Sequence, residues 1–72
     1  MNFEIKELDV VALLRDQPEA ELVKGQVGTV VEKLGETTYE VEFSDDDGRA
    51  YAICAIKEED LMLLHYAQIE AA

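Results

Sequence analysis

The chain has 72 residues, 49% of them hydrophobic, and 17 Asp and Glu against 6 Lys and Arg give a formal net charge of −11 at pH 7. That length suits one domain, which buries about 60% of its unfolded surface and draws roughly 3–5 kcal/mol from its core, while the apolar fraction excludes a disordered acidic tail. The charge repels phosphate backbones and anionic lipid, setting aside nucleic acid and membrane surfaces and favouring a basic or neutral protein as partner.

Met1–Glu7 reads as a polar lead-in, with Phe3 and Ile5 spaced for a short edge strand. Leu8-Asp9-Val10-Val11-Ala12-Leu13-Leu14 is β-branched, bounded by charge and too short for a helix, so it predicts the first strand. Period two leaves two inward sets open, Val10, Ala12 and Leu14 or Val11 and Leu13. Arg15–Glu21 is a loop, because Pro18 has no N–H for a ladder and pushes Gln17 toward extended backbone. A helical turn within it would use Asp16 as cap and Pro18 in the first turn.

Leu22 and Val23 return to the core, Lys24-Gly25 is a turn, and Gly28-Thr29-Val30-Val31-Glu32-Lys33 is the second strand. Gly28 at its start points to a bulge or a close backbone approach. Leu34-Gly35-Glu36-Thr37 is a hairpin loop with Gly35 as its left-handed residue. In Thr38-Tyr39-Glu40-Val41-Glu42-Phe43-Ser44, Tyr39, Val41 and Phe43 fall on one side and Glu40 and Glu42 on the other, the signature of a half-buried third strand.

Asp45-Asp46-Asp47-Gly48 is a hairpin turn, since Asp carboxylates accept nearby backbone N–H bonds and Gly takes positive φ. Arg49–Ile56 is the fourth strand, read with Tyr51, Ile53 and Ala55 inward; the register with Ala50, Ala52 and Cys54 inward stays open. Lys57–Leu61 reads as a 3₁₀ turn, Met62-Leu63-Leu64 as a fifth strand, and His65–Ala72 as an alanine-rich tail of helical composition. Eight residues are too few for an unsupported helix, so the tail is expected to pack on a neighbour or over a barrel end. Together these elements predict one domain over 1–72, an all-β, five-stranded antiparallel SH3-like barrel with its core at about 8–64 and a helical tail at 65–72. An open meander completed by dimerisation would give the same pattern.

One cysteine makes no internal bridge, and no set of Cys and His residues suits zinc, so neither staple supports this small core. A homo-oligomer is the expected remedy. The run Val10–Leu14 is too short for a signal peptide, no segment approaches the ~20 apolar residues of a membrane span, and the lone cysteine suits a reducing cytoplasm.

Val23-Lys24-Gly25-Gln26-Val27-Gly28-Thr29-Val30 resembles the turn-and-strand signature of the KOW motif, which implies an SH3-like fold and contact with RNA or ribosomal proteins. The basic surroundings that RNA contact requires are missing around it. A longer resemblance runs from Leu8 to Leu64, through Leu8–Leu14, Pro18-Glu19, Lys24–Glu32, Tyr39–Phe43 and Asp47-Gly48-Arg49. These segments are similar to the domain of unknown function 4926, a family of short bacterial proteins common in cyanobacteria. That resemblance implies a compact single domain and, from the toxin-like proteins encoded beside such members, an antitoxin or immunity-like binder.

Candidate sites favour binding over catalysis. Asp45, Asp46 and Asp47 with Gly48 hint at calcium, but the twelfth position from Asp45 is Ile56, where an EF-hand needs a bidentate Glu. Glu40 and Glu42, with Glu32 beside them, would be acid and base only across a cleft that so small a barrel lacks; a charged outer face accounts for them. Cys54 and His65 would make a nucleophile and base, yet a cysteine in an apolar strand is ordinarily a small core residue and His65 has no evident orienting group. Gly25 and Gly28 lack the Lys and Ser/Thr of a phosphate loop, so they join Gly35 and Gly48 as structural turn residues. The interface candidates are Tyr51, Tyr66 and Ile69, with Glu40 and Glu42; Tyr51 also fits a core position. The expectation is a noncatalytic acidic module without metal or cofactor that binds a partner protein, basic or toxin-like, with a structural homo-oligomer or an accessory enzyme subunit as the alternative.

Overall fold

Thr38–Ser44 forms strand β3 of a computed structural model that describes residues 4–65. Its alternation is realised in full: Tyr39, Val41 and Phe43 are buried while Glu40 and Glu42 lie half-buried on the other face. The remaining strands are β1 (Val10–Leu13), β2 (Val27–Lys33), β4 (Ala50–Lys57) and β5 (Leu61–Leu63). All pairings are antiparallel, in one five-stranded sheet of order β4-β3-β2-β1-β5. Short 3₁₀ turns occupy Pro18–Ala20 in the loop between β1 and β2 and Glu58–Asp60 before β5.

One face of this sheet carries the core. Val11 and Leu13 of β1, Val30 of β2, the three β3 residues, Ile56 of β4 and Leu61 of β5 are joined there by Ile5 and Leu22. Val11 and Leu13 are thus the inward set of the first strand. Gly28 allows β2 to lie hard against β3, since a Cβ at this point would sit 2.7 Å from Val41 Cγ1, 2.8 Å from the Glu42 carbonyl oxygen and 2.9 Å from Phe43 Cδ1. Of the two roles open to Gly28, the close approach is the one taken; the register shift in β2 comes later, between Val30 and Glu32.

The sheet does not close into the expected barrel. β4 and β5 stand at its two edges, and among the described residues β4 pairs with β3 alone and β5 with β1 alone. The fourth strand also shows the register opposite to the one preferred above. Tyr51 and Ile53 are 51% and 54% exposed and Ala55 is exposed, whereas Ala52 and Cys54 pack against the core. The cause is volume across the strand pair: Ala52 faces Phe43 and Cys54 faces Val41. Those β3 side chains already fill the space, so only small partners fit opposite them.

Smaller corrections have local causes. The first strand starts at Val10 rather than Leu8, because Asp9 Oδ2 accepts the Lys6 N–H at 2.8 Å and closes a turn that holds Leu8 at φ 73°. Pro18 does begin a helical turn, but the residue before it is Gln17, with no side-chain cap; the Asp16 carboxylate accepts the Lys24 N–H instead. Gly25 and Gly48 take positive φ, while Gly35 does not. The expected helical tail, including Tyr66 and Ile69, lies outside the described residues.

Candidate interaction surface

The face of the sheet opposite the core combines apolar and acidic side chains in register. Across the strands, Ile53 of β4 lies opposite Glu42 of β3, Glu42 opposite Thr29 of β2, and Thr29 opposite Val10 of β1. A neighbouring row runs from Met62 of β5 through Ala12 to Val27. Val27, Ile53 and Met62 are each between 42% and 54% exposed. Large apolar side chains held this openly on one sheet face form the kind of patch that marks interaction surfaces.

Carboxylates border this patch. Glu40 of β3 lies directly opposite Glu32 of β2 on one side and Ala55 of β4 on the other. Like charges facing across a strand pair repel, and neither glutamate has an ion-pair partner among the described residues. A cation arriving from outside relieves that repulsion. The bulged position Tyr51 places its ring 6.5 Å from Phe43, and its hydroxyl accepts a hydrogen bond from Gln26 Nε2 at 3.0 Å. Of the interface candidates, Glu40 and Glu42 are on this face, while Tyr51 is exposed but turns toward buried Phe43 and toward Gln26.

The other candidate chemistries are placed differently. Asp45 Oδ1 accepts the N–H groups of Asp47 and Arg49, both at 2.9 Å, so this carboxylate organises the turn that ends at Gly48. Cys54 stands on edge strand β4, half-buried, and burial pushes its thiol up, which keeps it protonated near neutral pH and weak as a nucleophile. His65 follows β5 at the other edge of the sheet.

A family model described as a domain of unknown function (DUF4926) matches residues 7–63. The chain belongs to this family. The matched span takes in all five strands of the DUF4926 sheet. No curated protein and no solved structure matches the chain. Among the described residues, no helix is long and apolar enough to cross a membrane.

Two features of this DUF4926 domain arise only from its tertiary structure. A groove of about 400 Å³ lies between the Pro18–Ala20 turn and β4, lined by Gln17, Pro18, Glu19, Ala20, Cys54, Ala55 and Ile56. Only the Pro18 turn was legible beforehand; that it stands beside β4 is a tertiary fact. The sequence shows Asp60 only as part of an acidic 3₁₀ turn. Its carboxylate receives Gln17 Nε2 at 3.4 Å and pairs with Arg15 Nε at 3.4 Å, tying the long loop to the start of β5.

Proposed function

We propose that this chain is a noncatalytic, acidic protein-binding module of SH3-like architecture that takes a basic partner in the cytoplasm, an antitoxin-like neutraliser being one form of that role. The observation that carries the reading is the outer sheet face, where exposed Ile53 lies across from Glu42 and the unpaired Glu32 and Glu40 lie across from one another. An apolar patch with a carboxylate border matches an amphipathic, positively charged surface. The net charge of −11 adds long-range attraction for such a partner. The SH3-like assignment is supported by the strand order, the long loop after β1 and the 3₁₀ turn before β5. The weak nucleophilicity of Cys54 supports the noncatalytic part.

Co-expression with the neighbouring gene product, followed by affinity purification through a tag on this chain, tests the reading. A stoichiometric basic partner, released by high salt, is the expected result. Recovery of the bare chain, with no effect on the neighbouring product's activity, removes it.

A homo-oligomer is a second reading, favoured by the exposure of Val27 and Met62 on the same face. Sedimentation analysis of the isolated chain separates the two, since the binder remains monomeric until its partner is added.

A further inference from the structure

β4 spans eight residues and has β3 as its only neighbour in the sheet among the described residues, so one of its edges is open. The hydrogen-bond pattern fixes which residues use that edge. The Glu58 N–H donates to the Thr37 carbonyl at 2.7 Å, in the same register that pairs Lys57 with Thr38. Alternation along an antiparallel pair then turns the N–H and C=O groups of Ile56 and Cys54 toward β3, and those of Ile53, Ala55 and Lys57 toward the open side. Natural edge strands of this length are ordinarily guarded by inward charges, Pro or short length. β4 has no Pro, and its one charged side chain is that of Lys57, its final residue.

The space beside this edge is also shaped. Cys54, Ala55 and Ile56 all line the 400 Å³ groove, and three consecutive strand residues share one groove only when it runs along the backbone edge. Its opposite wall carries Pro18 and Ala20. On the outer face, Ala55 is the small residue standing between the edge and Glu40, which leaves a path for a long cationic side chain to cross to that carboxylate. Ile53, two residues along the same face, stands in the same way beside Glu42.

We propose that the open edge of β4 takes up an extended segment of a partner protein as an added strand, and that this segment alternates basic with apolar residues. The added strand hydrogen-bonds to Ile53, Ala55 and Lys57, sets its basic side chains on the outer face over Ala55 and Ile53 toward Glu40 and Glu42, and its apolar side chains on the other face in the groove beside Cys54 and Ile56. This deepens the basic-partner reading and rests on it.

The test uses the full chain, ¹⁵N-labelled, with an acetylated octapeptide alternating Arg and Val as the probe. The controls are the same peptide N-methylated at alternate residues, which keeps its charge but loses strand pairing, and an octapeptide alternating Glu and Val. Expected are saturable binding of the basic peptide, slowed amide exchange at Ile53, Ala55 and Lys57, and a loss of affinity of at least about tenfold on N-methylation. Ala55→Pro removes an outward N–H while leaving the β3 pairing intact, and gives a similar loss. Should that variant fail to fold, Ile53→Lys gives the same weakening by repelling the peptide. Equal binding of the N-methylated peptide, protection elsewhere on the sheet, or binding of the acidic peptide overturns the proposal. So does a dimer of the chain alone with these same amides protected, because a second copy then fills the edge. A tagged Ala55→Pro chain that still retrieves the basic partner at full yield overturns the edge site while leaving the wider binding reading standing.

Discussion

Gly28 and Val41 approach so closely that any side chain at position 28 collides with the valine, its Cγ1 lying 2.7 Å from where a Cβ would be. The Glu42 carbonyl oxygen and the Phe43 ring bound the same point at 2.8 and 2.9 Å. Relief requires moving β3 backbone and two core side chains together, since Val41 and Phe43 are fully buried. Gly28→Ala therefore costs about 3 kcal/mol through overpacking. Urea unfolding reads this directly, and an unchanged midpoint rejects the close approach. Gly35→Ala is the matched control, as nothing lies within 4 Å of its added methyl and its φ is not positive.

Leu8 holds the opposite kind of position, with φ at 73° and 79% of its surface exposed. Left-handed backbone is unfavourable for a residue with a Cβ, and here almost no burial offsets it. The bonds that fix this turn are backbone and Asp9 contacts that a substitution at position 8 preserves. Leu8→Gly should raise stability by about 0.5–1 kcal/mol despite deleting a large apolar side chain. Thermal unfolding of the variant checks the sign; a lower midpoint means that the leucine makes contacts its exposure does not suggest.

Asp60 and Arg15 form an unequal pair. The aspartate side chain is 16% exposed and the arginine side chain 71%. Asp60→Ala removes the acceptor for Gln17 as well as the ion pair, and should cost about 1–2 kcal/mol. Arg15→Ala removes only an exposed partner and should cost under about 0.5 kcal/mol. Equal losses in denaturant titrations would mean that the ion pair, and not the Gln17 tie, holds the loop.

Burial raises the Cys54 thiol, so the folded chain keeps that proton more tightly than the unfolded chain does. The stability this provides is fully present below the unfolded thiol's titration range and is lost as pH rises through the folded one. Wild type should therefore lose more stability than Cys54→Ala between neutral and alkaline pH. Parallel denaturation of the two proteins reads the difference, and coincident pH profiles refute it. Alkylation by iodoacetamide at mildly alkaline pH should also be slower in the folded chain than after denaturation.

The legibility of this fold varied with how local each signal was. β3 was readable because Tyr39, Val41 and Phe43 alternate with two glutamates, and a pattern of period two has a single half-buried solution. The turn at Asp45–Gly48 was readable because its bonds run from a carboxylate to N–H groups two and four residues away. The inward face of β4 was not, since Tyr51 and Ile53 look as suited to a core as Ala52 and Cys54 do. What decides between them is the bulk of Phe43 and Val41 across the ladder, which a one-dimensional reading cannot weigh. The candidate surface divides the same way. Glu40 and Glu42 were placed correctly on the outer face, whereas the groove beside β4 depends on where the Pro18–Ala20 turn docks.

The placement of β1 between β2 and β5 has a consequence for synthesis on the ribosome. β2, β3 and β4 are consecutive and form two hairpins whose strands meet soon after each turn emerges. β1 leaves the exit tunnel first, but its second ladder, pairing Val11 with Leu63 and Leu13 with Leu61, waits for some fifty more residues of nascent chain. Until then Leu13 lacks its neighbour Leu61 in the core, and the first strand to be made is among the last to be locked in place.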